Sequence, residues 1–352
     1  MISSRRNQAL LMLIAICLGM LAWHVQFAGA QPQAQKTAAP QKEEIPPDSD
    51  YMFRKDSAAI DEIKARETDP QKRADALVAW AKDHPRATRA VAYAASYYGE
   101  VVAGVLKTDP QKALAMIQTF QAAAPTNTTL VPLEMSAYYQ TKNYAKAAEI
   151  GEKLYAEKPS QEMASTLYQI YGQANNADKM LVYGEKLLAE VPIEKSFGVA
   201  LQVAQIYAQK KNTEKTLHYY SELMGVYGDK VPPGVQEANW NPVRAAAFRM
   251  MAADSYAKKD FPKAMELYDK VTKFAPKGEE ACEAWYYIGM AKWQSKDQKG
   301  AIEPFARAYV LGKSMSPKAK ENFELLYKNE HSGSLDGSDV ILAKAKSDLG
   351  IG

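Results

Sequence analysis

Residues able to do chemistry are few and scattered in this chain. The four histidines, His24, His84, His218 and His331, form no H-x-x-x-H pair. A histidine needs an orienting carboxylate to act as a base, and none is assigned to His218, which precedes Tyr219 and Tyr220 on an expected helix. The adjacent carboxylates Glu43 and Glu44 fall in a polar segment, and Glu279 and Glu280 open an expected helix. Solvation and helix capping account for such pairs. Of the two cysteines, Cys17 lies in an N-terminal apolar run, which leaves Cys282 alone. That excludes an intramolecular disulfide and argues against a thiolate metal site. Cys282 opens a helix, a position that can lower a thiol pKa, but it has no Cys or His partner in the sequence and reads as an inert small residue. Asn127-Thr128-Thr129 matches a glycosylation triplet, a short and frequent motif. The sequence holds no G-x-S-x-G, Walker loop, H-E-x-x-H, C-x-x-C or glycine-rich dinucleotide turn. No catalytic residue, metal ligand set or cofactor is expected, and the chain reads as a non-enzyme.

Composition sets the class of the elements that would position any site. At 352 residues with 47% hydrophobic and 24% charged side chains, the chain can bury a sizeable core and is ordinary for a soluble protein. The net charge of +3 falls to about +1 without Arg5 and Arg6. Neither value demands a nucleic-acid partner.

At the N-terminus, Arg5 and Arg6 precede an apolar run over residues 9–23, followed by Ala28-Gly29-Ala30. A basic start, an apolar stretch of this length and a small-residue exit describe a secretory signal peptide over 1–30. The alternative is an uncleaved membrane anchor, for which the run is short. With the signal removed, no membrane insertion is expected, and the location is periplasmic or secreted. Residues 31–50 are rich in Gln, Pro and charge, and read as a disordered spacer.

From Tyr51 onward, apolar residues recur at helical spacing and segments repeat. GEKLYAEKP at 151–159 returns as GEKLLAEVP at 184–192, and TDPQK at 68–72 returns at 108–112. In the second pair, Asp69 or Asp109 can cap a helix while Pro70 or Pro110 takes its first position. In the stretch 282–308, Trp285, Ile288 and Gly289 share one helical face. Ala301, Phe305 and Ala308 share another, across the polar turn Ser295-Lys296-Asp297. That describes two antiparallel helices crossing closely at a small residue.

With Cys282 as position one, these six residues fall on positions 4, 7, 8, 20, 24 and 27, and the stretch resembles the 34-residue tetratricopeptide (TPR) unit. Lys292 stands where the family has an aromatic, and Lys313 where it has proline. The resemblance implies an all-α fold: a right-handed α-solenoid of about seven TPR-like hairpins over 51–315, with capping helices over 316–352. Gly151 and Gly184, in second helices, are expected to compensate for the bulkier Met135 and Tyr168 that face them. Pro304 predicts a kink in the last second helix. The stretch 229–242, with Pro232, Pro233, Gly234 and Pro242, reads as a long inter-repeat loop carrying Trp240.

The resemblance also implies a concave groove lined by the first helix of each hairpin, at positions 2, 5, 9, 12 and 13. Carried onto this chain, it points to peptide binding by Tyr139, Gln140, Gln169, Gln173, Gln205, Gln209, Arg249, Tyr256, Tyr286 and Trp293, with Ser136, Leu201, Met290 and Gln294 beside them. The set is nearly free of charge, so the family's cationic clamp on a terminal carboxylate is not expected. Amide and ring surfaces suit extended peptide backbone or sugar. The expected function is a protein-binding scaffold of the bacterial cell envelope. The alternatives are an envelope assembly component docking through its convex face or the 229–242 loop, and an enzyme with an unrecognised site.

Overall fold

A computed structural model describes residues 45–351; the expected signal peptide, and the expected spacer up to residue 44, lie outside them. The described residues form sixteen α-helices and no strand. The chain divides into two compact units, Met1–Lys186 and Leu187–Gly352.

In the first unit, antiparallel pairs are made by α1 (Asp50–Arg66) with α2 (Pro70–Asp83), α3 (Thr88–Leu106) with α4 (Pro110–Ala123), and α5 (Val131–Gln140) with α6 (Tyr144–Glu157). Then come α7 (Gln161–Gln173) and α8 (Ala177–Glu190), which runs past the unit boundary. The capping inferred from TDPQK is present twice: Asp69 and Asp109 accept the backbone N–H of Lys72 and Lys112 at 2.8 and 2.9 Å. Tyr98 packs at a tilt against Phe120 and donates to the Met116 carbonyl at 2.7 Å, locking α3 to α4. A Cβ on Gly151 would lie 2.8 Å from Leu167 and 3.2 Å from the sulfur of Met135, so the glycine does make room for a bulky neighbour. The polar segment before α1 is ordered at its end. Ser49 caps α1, and the Asp48 carboxylate accepts the Arg89 N–H at 3.1 Å and the Thr88 hydroxyl. The N-cap of α3, Ala87, has no side chain for that task, so Asp48, 39 positions before it, performs it.

In the second unit, α9 (Ile193–Gln209) pairs with α10 (Thr213–Tyr227), α11 (Glu237–Ala257) with α12 (Phe261–Phe274), and α13 (Glu279–Gln294) with α14 (Gln298–Val310). Next, α15 (Ser316–Glu330) packs on α14, and α16 (Ser338–Asp348) packs on α14 as well. Ala319, Phe323, Leu326, Tyr327 and Ala345 from these two helices join the core around Phe305, in the covering role expected of them. A Cβ on Gly289 would sit 2.8 Å from the Phe305 ring, which is why the close crossing takes glycine.

One expectation from the sequence changes. Trp240 is not in a loop: α11 begins at Glu237, and Trp240 is 1% exposed, its indole N–H donating to the Tyr227 carbonyl at 3.1 Å. The helix tolerates Pro242 because Pro242 and Ala238, whose carbonyl loses its partner, are both exposed to water. Pro304 lies inside a helix that is continuous from Gln298 to Val310.

One turn design recurs. In five hairpins the residue before the second helix's cap has positive φ: Lys142, Asn175, Lys211, Lys259 and Lys296. The following residue (Asn143, Asn176, Asn212, Asp260, Asp297) donates its N–H to the carbonyl five residues back at 2.8–2.9 Å. It then caps the second helix through its side chain.

Candidate functional site

The first helices of the second unit bring four of the expected residues together. Arg249 and Tyr256 lie on α11, and Tyr286 and Trp293 on α13. Arg249 Nη1 donates to Glu283 Oε2 at 2.9 Å, so its charge is neutralised by the neighbouring first helix. Tyr256 packs edge-on against Phe261 (5.5 Å) and Tyr287 (5.2 Å). Tyr287 stacks on Tyr268 at 5.5 Å and meets Tyr286 at 5.4 Å; Tyr286 then meets Phe305 at 5.7 Å. Trp293 stands perpendicular to Phe305 at 6.2 Å. The rings thus form one connected layer joining α11 to α14.

Ring–ring contact packs these side chains together and leaves them half-buried on the first-helix face. Burial also pushes the Tyr256 and Tyr286 phenols above their ordinary pKa, so both remain neutral donors. Met290 lies beside them, 3.6 Å from the Asn322 amide of α15. The Tyr268 hydroxyl and Arg249 Nε are buried without a hydrogen-bond partner.

Sequence reasoning missed Tyr287 at the centre of this layer, and it missed Glu283. Glu283 occupies position two of the same 34-residue scheme, so its signal was present; Tyr287 lies off the scheme. The remaining residues are placed otherwise. Gln205 and Gln209 are exposed on α9, and Leu201 is half-buried there. In the first unit, Gln173 is exposed and Gln169 half-buried on α7. Tyr139 packs edge-on against Tyr144 at 5.6 Å. The Gln140 amide nitrogen is buried without a partner. Ser136 is buried in α5 and does not line a surface.

The other candidates for chemistry lie apart from this layer or beneath it. Cys282 is fully buried, its thiol donating to the Ala308 carbonyl at 3.3 Å. His218 is exposed, 3.7 Å from the exposed Glu222 one turn along α10. Trp285 is half-buried rather than at the core's centre, with the Arg307 guanidinium 4.7 Å over its ring.

No sequence-family profile matches the chain, and comparison with curated proteins gives no match. Among solved structures, the chain is similar to a tetratricopeptide repeat protein from Parabacteroides merdae, with 18% identity over 78% of this chain and 98% of that one and a TM-score of 0.35. It is also similar to yeast Tom70, with 16% identity over 94% and 72% and a TM-score of 0.30. A third is PilW, described as a widely conserved type IV pilus biogenesis factor, with 16% identity over 59% and 89% and a TM-score of 0.28. Overlaps at this level add little to what the hairpins themselves carry: paired helices, the Gly289–Phe305 crossing, and one turn design used five times. On those features the chain is an all-α array of helical hairpins whose units resemble the tetratricopeptide repeat.

Proposed function

We propose that the protein is a non-enzymatic interaction scaffold of the bacterial cell envelope, holding an extended segment of a partner protein on the first-helix face of its second unit. The observation that carries this reading is the ring layer from Tyr256 to Trp293, with Arg249 already paired to Glu283. Such a face offers apolar ring surface and phenol donors, and its one cation is neutralised. It therefore suits an internal stretch of polypeptide rather than a chain end bearing a free carboxylate. Gln205 and Gln209 on α9 extend the contact. Tyr139, Gln140, Gln169 and Gln173 make a second contact in the first unit. The envelope location rests on the basic and apolar residues 5–23, read as a cleaved signal. N-terminal sequencing of exported protein tests it, and a start at Met1 would favour the anchored form.

The scaffold reading is tested by photo-crosslinking. A photoreactive residue replaces Gln209 or Met290 on the proposed face, or Glu266 on a second helix as the control. Crosslinks to one protein species from the first two positions, and none from Glu266, are expected; equal labelling from all three would remove the reading.

A further inference from the structure

Antiparallel hairpins put every internal turn at one edge of a unit and every link to the next hairpin at the other. In the second unit three internal turns follow one another: residues 210–215, 258–263 and 296–299. Together these short stretches hold eight lysines and three acidic residues. Two of the acids are engaged, since Asp260 and Asp297 accept the backbone N–H of Lys263 and Gly300 at 3.1 and 2.8 Å. At the opposite edge, the links into α9, α11 and α13 (residues 190–195, 229–237 and 277–280) hold six acidic residues and three lysines. Charge at these three turns and three links is sorted by edge. The row ends at the turn before α16, where Glu330, Asp336 and Asp339 replace the lysines.

The lysines themselves are unusual in placement. Lys211, Lys259 and Lys296 have φ of 57°, 61° and 67°, where the backbone favours glycine. All three are exposed and, with Lys299, make no ion pair among the described residues; the neighbouring Lys258 and Lys263 bind Asp254 and Glu266. A cation is thus kept at the tip of three successive turns against local backbone preference. The N-terminal ends of α10, α12 and α14 lie at the same edge and add their partial positive charge.

We propose that this edge of the second unit docks on the anionic headgroups of a lipid bilayer. Packed helices are spaced by about 8–10 Å, so the turns present a short line of cationic tips rather than the broad basic surface that a nucleic acid needs. The acidic opposite edge is repelled from the same surface, which sets the unit edge-on to it. The lipid source rests on the envelope reading above; the groove reading is independent of it.

The test is vesicle sedimentation of the full chain, on phosphatidylcholine alone and on phosphatidylcholine mixed with phosphatidylglycerol. The wild type should prefer the anionic vesicles, and the preference should fade as salt rises. The quadruple variant Lys211→Gln, Lys259→Gln, Lys296→Gln and Lys299→Gln should lose that affinity by at least about tenfold. A control with Lys195, Lys230, Lys277 and Lys318 changed to Gln should lose less than about threefold. Circular dichroism checks that both variants stay helical. Equal losses in the two variants, no loss in the first, or no wild-type preference for anionic vesicles would each overturn the proposal. Crosslinking from Gln209 and Met290 and N-terminal sequencing report separately, so failure at the vesicle surface is distinguishable from failure of the scaffold or envelope readings.

Discussion

At the scale of single residues, the chain departs from backbone preference in two opposite ways. Gly289 lacks a side chain in mid-helix, where glycine is disfavoured, because the Phe305 ring occupies the space. Gly289→Ala should therefore destabilise by about 1–3 kcal/mol despite its better helix propensity. Lys296 has a side chain where glycine would relieve strain, so Lys296→Gly should stabilise by about 0.5–1 kcal/mol. Urea unfolding midpoints check both. The same sign for the two substitutions would contradict either the crossing at Gly289 or the left-handed turn at Lys296.

At the scale of elements, what could be read from the sequence divides by distance along the chain. The hairpins were legible because their signals are local: apolar spacing, the Asp-Pro helix starts, and the small residue at the crossing. The start of α11 was not. Pro232, Pro233, Gly234 and Pro242 spell a loop, and only the pocket closed by Tyr227, thirteen residues earlier, turns Trp240 into a core residue. Trp240→Ala should cost about 3–5 kcal/mol, measured as a fall in the urea midpoint. A loop tryptophan would cost almost nothing, so this one value separates the two placements. Part of the candidate site shares the same limit. The first-helix positions were read from the repeat, but the Arg249–Glu283 pair and the stacking of Tyr287 on Tyr268 join different hairpins and exist only once these are stacked.

For the whole molecule, tyrosine supplies a readout of both units. Burial holds ten phenols above their ordinary pKa of about 10: Tyr93, Tyr97, Tyr98, Tyr168, Tyr171 and Tyr183 in the first unit, and Tyr220, Tyr256, Tyr268 and Tyr286 in the second. Folding keeps these groups protonated, so the stability they contribute is complete below about pH 10 and is lost as pH rises through the raised values. In an alkaline titration, their phenolate absorbance should appear together with loss of the helical signal. Full ionisation of all 21 tyrosines with helicity intact would contradict their burial. The Asp48 carboxylate, reaching across to the start of α3, has a mechanical consequence as well. With Arg89 gripping Asp50 at 2.9 Å and lying 4.5 Å over the Phe53 ring, the head of α1 is fastened to the second hairpin, not merely to its own. Tension applied to the chain ahead of Asp48 would load that fastening first and leave the α1–α2 turn unloaded until it gave way.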